Sequence, residues 1–168
     1  MSIYQRSSRA GKTLADDTDV MSTSDGISSA DWDRVHELVL DVVNAEEGEE
    51  EDLCRRRLLE YLDELEEKYG PLPSILSTRA DYLPGDVPGR IALFKRAYAT
   101  ATEAGDARNQ LYVASSLAAL YVLELGDVVE GRSWLAHAEK FLDRVGTDVD
   151  RREFDRIKDH LRRLQSGA

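Results

Sequence analysis

From Trp32 onward, apolar residues recur three and four positions apart, the spacing of helix faces packed on a core. Ser28, with Asp31 three residues later, marks a helix start, and Trp32, Val35, Leu38 or Val39, and Val42 then share one face. A second helix carries Cys54, Leu58, Tyr61, Leu62, Leu65 and Tyr69 as its stripe and stops at Gly70-Pro71. A short third helix, started by proline, presents Ile75, Leu76, Ala80 and Leu83. The fourth is predicted over Val87 to Ala104, with Pro88 in its first turn and Gly105 beyond its end. The fifth, over Ala107 to Leu125, is apolar nearly all round, as befits a helix buried between neighbours. Asp127 with Glu130 caps a sixth that ends at Gly146. Thr147 with Asp150 caps a seventh, apolar at Phe154, Ile157, Leu161 and Leu164 and charged on its other face. Seven helices and no strand make the chain all-α, in one domain over residues 28–168. Residues 1–27, rich in Ser, Thr, Asp and Gly, are expected to form a disordered tail.

The helices are related by an internal repeat. Pro84-Gly85-Asp86-Val87, followed by Phe94 and Ala97, returns as Leu125-Gly126-Asp127-Val128, followed by Leu135 and Ala138, at a spacing of 41 without a gap. A period in this range belongs to stacked helix pairs, each burying its apolar stripe against its neighbours. A scaffold of that kind binds more often than it catalyses.

These residues resemble the tetratricopeptide repeat family. Leu117-Ala118-Ala119-Leu120-Tyr121 is similar to the Leu-Gly-x-x-Tyr core of that repeat's first helix, with Ala118 in the glycine position. Gly126-Asp127 matches its turn, and Gly131, Leu135 and Ala138 match the small-large-small positions of its second helix. The preceding copy supplies Leu76, Ala80, Gly85-Asp86, Phe94 and Ala97. The span from Tyr121 to Gly126 is one residue longer than usual. The spacing resembles the longer variety of the repeat, of about 42 residues. The resemblance covers residues 72–144 and implies antiparallel helix pairs in a right-handed, tetratricopeptide-like α-solenoid, closed by a capping C-terminal helix.

It also implies a concave groove lined by the first helix of each pair. Tyr112, Ser115, Ser116, Ala119 and Val122 would face it from one copy, and Ser74, Thr78, Asp81 and Tyr82 from the copy before, with Arg79 and Asn109 at its edge. Family members that clamp a carboxylate-ended peptide present Lys and Asn there, whereas this chain presents Ser and small apolar groups. Where others grip a peptide backbone with Asn, this chain has Ser116. The same small residues would also serve simply to pack helices.

Charge separates the two halves. The net charge of −11 lies almost wholly in residues 29–68, at −10, while residues 69–168 balance to zero. Phosphate contacts need clustered Lys and Arg, so nucleic acid is not the expected partner. An acidic cluster at Glu46, Glu47, Glu49, Glu50 and Glu51 is either a solvated face or a docking surface for a basic protein. The expected partner is therefore a protein or peptide. The alternative to a groove binder is a small acidic inhibitor, of the kind that confers immunity by covering a toxin's basic active site.

Catalytic chemistry finds few residues. His36, His137 and His160 fall on three different helices, without metal-ligand spacing. Gly11-Lys12-Thr13 lacks both the upstream glycine and the strand of a phosphate-binding loop. Cys54, the only cysteine, falls on a core stripe and excludes an internal disulfide, as in a reducing cytoplasm. No apolar run reaches the ~20 residues of a membrane span. No enzyme activity, cofactor or metal is expected. Trp134 is expected to pack toward the last helix.

Overall fold

The structure, a computed structural model, describes residues 23–166. Among them stand seven α-helices and no strand: α1 (Ser29–Asn44), α2 (Glu49–Tyr69), α3 (Pro73–Tyr82), α4 (Val87–Glu103), α5 (Ala107–Ala119), α6 (Val128–Val145) and α7 (Asp148–Ser166). Residues 1–22, with the Gly11-Lys12-Thr13 stretch and most of the expected tail, lie outside the described residues.

Local chemistry sets most boundaries. Ser28 Oγ accepts from Asp31 N at 3.3 Å, and Asp127 Oδ1 accepts from Val129 N and Glu130 N, both at 3.0 Å. Thr147 and Asp150 cap α7 reciprocally: Thr147 N donates to Asp150 Oδ2 at 2.7 Å, and Asp150 N to Thr147 Oγ1 at 3.3 Å. Gly70, at φ 83°, takes the left-handed conformation that ends α2. The carboxylate of Asp31 also joins α1 to the end of α2, accepting from Lys68 Nζ at 2.7 Å and Tyr69 Oη at 2.5 Å. Lys68 foremost, then Tyr69, hold that carboxyl far below the usual range.

The core is a succession of three apolar clusters. Val35, Leu38, Val42, Leu58, Leu62 and Leu65 fill the first, between α1 and α2, which Ile27 and Ile75 close. Leu76, Ala80, Phe94, Ala97, Val113 and Leu117 fill the second, between α3, α4 and α5. The third packs Leu111, Ala114 and Ala118 of α5 on Leu135, Ala138 and Leu142 of α6 and Phe154, Ile157 and Leu161 of α7. α5 thus serves two clusters from opposite sides, which explains why it is apolar all round. Packing runs mainly between chain neighbours, with α3 on α5 and α5 on α7 as further contacts. No Cα of α1 comes within 8 Å of α3, so the first hairpin joins the rest through α2 and through side chains.

The fifth helix departs from expectation at its end. It does not run as an α-helix to Leu125; from Leu120 to Glu124 it widens into a π-helical turn. Leu125 N donates to Leu120 O at 3.2 Å and Asp127 N to Tyr121 O at 2.8 Å. Such a turn absorbs one extra residue without breaking the helix. Trp134 borders the α5–α6–α7 cluster and also packs edge-on against Tyr98 of α4 at a centroid distance of 5.2 Å, beside His137.

Residues 23–27 are not a free tail. Ile27 is fully buried, and Asp25 accepts from Ser74 N at 2.7 Å and Ser74 Oγ at 2.9 Å. Since Leu72 gives α3 no side-chain cap, Asp25 caps that helix from a distance. Composition marks this strap as tail because it holds a single large apolar residue.

Two outcomes test this packing. A Cβ at Gly131 would collide with Val122 Cγ2 across the α5–α6 contact. Gly131→Ala is therefore expected to destabilise by about 1–2 kcal/mol, despite its better helix propensity. Urea titration is the check; a more stable Gly131→Ala protein would mean that the contact yields. Asp25→Ala should cost about 1–2 kcal/mol, the worth of a lost helix cap, and an unchanged midpoint would show that water replaces Asp25.

Candidate functional site

Two adjoining clefts are lined mainly by the odd-numbered helices, with a contribution from α4. A first cleft of about 530 Å³ runs between α5 and α7, over Tyr112, Ser115, Ser116 and Ala119 on one side and Val149, Asp150, Glu153 and Arg156 on the other. Arg90 and Phe94 of α4 and Leu120, Leu123 and Glu124 also line it. A second cleft of about 410 Å³ lies between α1 and α3, over Trp32, Val35, His36 and Val39 and over Ser74, Ser77, Thr78 and Tyr82. Thr23, Ser24, Arg108 and Asn109 line its end. Asp81 and Tyr112 belong to both clefts, so the two form one groove.

The groove's walls are tied together by hydrogen bonds. Tyr112 Oη donates to Asp81 Oδ2 at 2.6 Å, bridging α5 to α3. Asn109 is buried; its Nδ2 donates to Asp106 Oδ2 at 2.8 Å and to Ser24 Oγ at 3.1 Å. Arg108 pairs with Asp150 at 2.6 Å, joining α5 to the first turn of α7. Arg90 of α4 grips Glu124 of the π turn at 2.9 and 3.2 Å and donates to Ala80 O at 3.0 Å. Arg156 and Glu153 pair on α7 at 2.6 Å.

Asp81 and Tyr112 are the electrically unusual pair. Both are exposed on the open side, Tyr112 at 41%, while the neighbouring walls desolvate them in part. This desolvation pushes the Asp81 carboxyl up to about 6, against the opposing effects of the Tyr112 hydrogen bond and the Arg90 charge. The same desolvation, with the Asp81 charge, pushes the Tyr112 phenol well above its ordinary value.

Of the residues expected in the groove, Ser74, Thr78, Tyr82, Asn109, Tyr112, Ser115, Ser116 and Ala119 lie there. Two do not. Val122 is 1% exposed and packs in the α5–α6–α7 core, because the π turn carries residues beyond Ala119 out of α-helical phase. Arg79 points the other way, to Asp63 and Glu66 of α2, where two carboxylates hold it. Glu46, Glu47, Glu49 and Glu50 are exposed at the α1–α2 turn, but Glu50 folds back to accept from Glu46 N at 3.1 Å. Glu51 is partly covered and paired with Arg55. The acidic face is thus smaller than the sequence indicates.

Sequence reasoning missed the α7 wall. Val149 is 65% exposed just after a helix cap, an apolar residue out of phase with the buried stripe and the one local signal of it. Trp32 and Val35 read as pure core, yet both also line the second cleft. Cys54 packs at the first cluster. His137 lies away from the groove, bonded to Tyr98 Oη at 3.2 Å, and its pKa is lowered by desolvation and then by Lys140. Among the described residues no group of His, Cys, Asp and Glu is arranged to hold a metal, and no helix is long and apolar enough to cross a membrane.

The raised pKa of Asp81 has a consequence for stability. Between its unfolded value near 4 and its folded value, the native chain binds the extra proton, so this group's contribution to stability falls as pH rises through that window. Above it the charge is a net cost to the fold. Asp81→Asn is therefore expected to raise Tm by about 1–3 °C at neutral pH, with the gain vanishing toward about pH 4. A Tm lowered at neutral pH would show that the Tyr112 hydrogen bond outweighs desolvation.

No protein-family model, no curated protein and no solved structure matches this chain. Its function is therefore read from the groove itself.

Proposed function

We propose that this chain is a helical-repeat interaction module of the tetratricopeptide type, which holds a segment of a partner protein in its groove without catalysis. One observation carries the reading: α1, α3, α5 and α7, the first helix of each successive pair and the unpaired last helix, supply most of the lining of two clefts that meet at Asp81 and Tyr112, with Arg90 and Phe94 of α4 beside them. Three stacked clusters, packing mostly between neighbours, agree with a solenoid. On this reading the π turn accommodates the one residue by which the Tyr121–Gly126 span exceeds the family's usual length.

The lining suits an extended polypeptide. Ser115, Ser116 and Ala119 have short side chains, so a backbone can approach the helix closely and meet hydroxyl groups. Tyr112 offers an exposed ring that gives contact area at little entropic cost. The arginines of the groove are each matched by a carboxylate, which disfavours a polyanion such as nucleic acid. α7 closes the array with one apolar face and one charged face, as a terminal repeat element must.

Capture of partners from a native lysate tests the reading against the acidic-inhibitor alternative. Tyr112→Ala is expected to weaken retention about tenfold, as for a central aromatic anchor. Glu49→Lys, Glu50→Lys and Glu51→Lys together should change it less than about twofold, since exposed rim charges act chiefly on association rate. If the lysine triple variant abolishes binding while Tyr112→Ala does not, the acidic turn is the interface and the groove reading fails.

A further inference from the structure

We infer that the groove selects a partner segment carrying a lysine or arginine side chain, whose cation docks on Asp81 at the junction of the two clefts. The inference rests on the groove being a polypeptide-binding site and names what that site recognises.

Charge matching carries it. The arginines lining the two clefts are Arg90, Arg108 and Arg156, and each is held by its own carboxylate: Glu124 at 2.9 Å, Asp150 at 2.6 Å and Glu153 at 2.6 Å. Asp81 is the carboxylate left over. Among the described residues it accepts one hydrogen bond, from Tyr112 Oη at 2.6 Å, and forms no ion pair. Arg90, the nearest guanidinium to act on it, is committed to Glu124 and to Ala80 O. The remaining lone pairs of Asp81 are therefore open to a ligand.

Position and energetics agree. Asp81 borders a third cleft of about 530 Å³ as well, toward Pro84, so it is reachable from three sides. Asp81 is exposed yet partly desolvated by the walls and pairs with no cation, so an incoming ammonium or guanidinium would gain a free carboxylate partner. The raised Asp81 pKa is the expected mark of that deficit. The aliphatic stem of a lysine or arginine would lie along the ring of Tyr112, and the ring faces of Tyr112 and Tyr82 favour a cation nearby. A metal ion does not fit this position, since one carboxylate among phenols offers too few ligands.

The groups facing Asp81 bound its pH response. They are Tyr112 from α5, Arg90 with its partner Glu124 from α4 and the π turn, Tyr82 on α3 itself, His36 across the second cleft from α1, and Glu47, Glu51 and Arg55 across the third, with the Arg108–Asp150 and Arg156–Glu153 pairs in the same clefts. Protonation of Asp81 removes the charge that recognises the cation, so selectivity should fade on going from about pH 7.5 to pH 5.

The test is selection of displayed random peptides on the full chain, followed by affinity measurement on synthetic copies. The expected result is a basic residue at one fixed position. Replacing it with norleucine should weaken binding about 10- to 100-fold to the native chain, and hardly at all to Asp81→Asn, the outcome of a direct pairing. Asp81→Asn is expected to fold, so its behaviour reports on binding. Peptides that bind in a Tyr112-dependent way without a preferred basic position would overturn the inference and leave the groove reading intact. Absence of any Tyr112-dependent binder would sink both. Binders obtained only after Arg6, Arg9 and Lys12 are changed to Ser would make this chain's own N-terminal segment the resident occupant, and the assignment of the site to a separate partner would fall.

Discussion

The arrangement of the groove depends on a knot of hydrogen bonds where residues 23–25 meet α3 and α5. Ser24 Oγ donates to the Asp106 carboxylate at 2.8 Å, Asp25 caps α3 through Ser74, and buried Asn109 bonds to Ser24, Ser74 and Asp106. α3 starts at Leu72-Pro73 without a cap of its own, so its first amides would otherwise be stranded beside the core. The knot removes that cost and fixes the distance between the two helices on which the groove is centred. It also anchors the strap whose Ile27 plugs the first apolar cluster. Since no Cα of α1 comes within 8 Å of α3, the second cleft stays open only because the strap, α2 and these side chains hold the first hairpin in place.

At the other end of the same helices, the π turn has a comparable effect. A π turn holds one residue more than an α turn and keeps the helix going. The widened turn keeps Leu120 and Tyr121 in the middle cluster and Val122 in the last, against Gly131. It also carries Glu124 to the groove wall, where it neutralises Arg90. Had Glu124 pointed elsewhere, Arg90 would face Asp81 without a competitor, and the groove floor would hold an internal ion pair. The backbone irregularity thus bears on the groove's electrostatics.

Helices and caps were legible because their signals are local. Ser28 with Asp31, Asp127 with Glu130 and Thr147 with Asp150 each act within one turn, and the structure keeps all three at the expected places. Groove residues were legible as far as α-helical phase held. Ser115, Ser116 and Ala119 stay in phase and face the groove, while Val122, past the start of the π turn, does not. Arg79 was misplaced for another reason: one step around the helix from Thr78, it is drawn by Asp63 and Glu66, which are 16 and 13 residues away in sequence. The strap was hidden because its fit relies on partners up to 85 residues distant and on one apolar side chain. Long-range hydrogen bonds leave no periodic trace in a sequence.

Asp81 shows how stability and recognition pull apart. A chain shaped only for stability would place Asn or Ser at a crowded position, since either keeps a partner for Tyr112 without a charge to desolvate. Instead the fold holds a carboxylate there and withholds the cations that stand near it, each bound elsewhere. A partly desolvated charge without a counter-ion is a local cost that a bound cation would remove, so on the proposed reading one feature would lower the stability of the empty form and raise affinity for a charged ligand. On the proposed reading uncharged segments would gain nothing from Asp81, and an acidic one would be repelled. Discrimination of this kind needs no conformational change, only a groove whose walls are already held apart by the knot at Asn109 and the widened turn at Leu120.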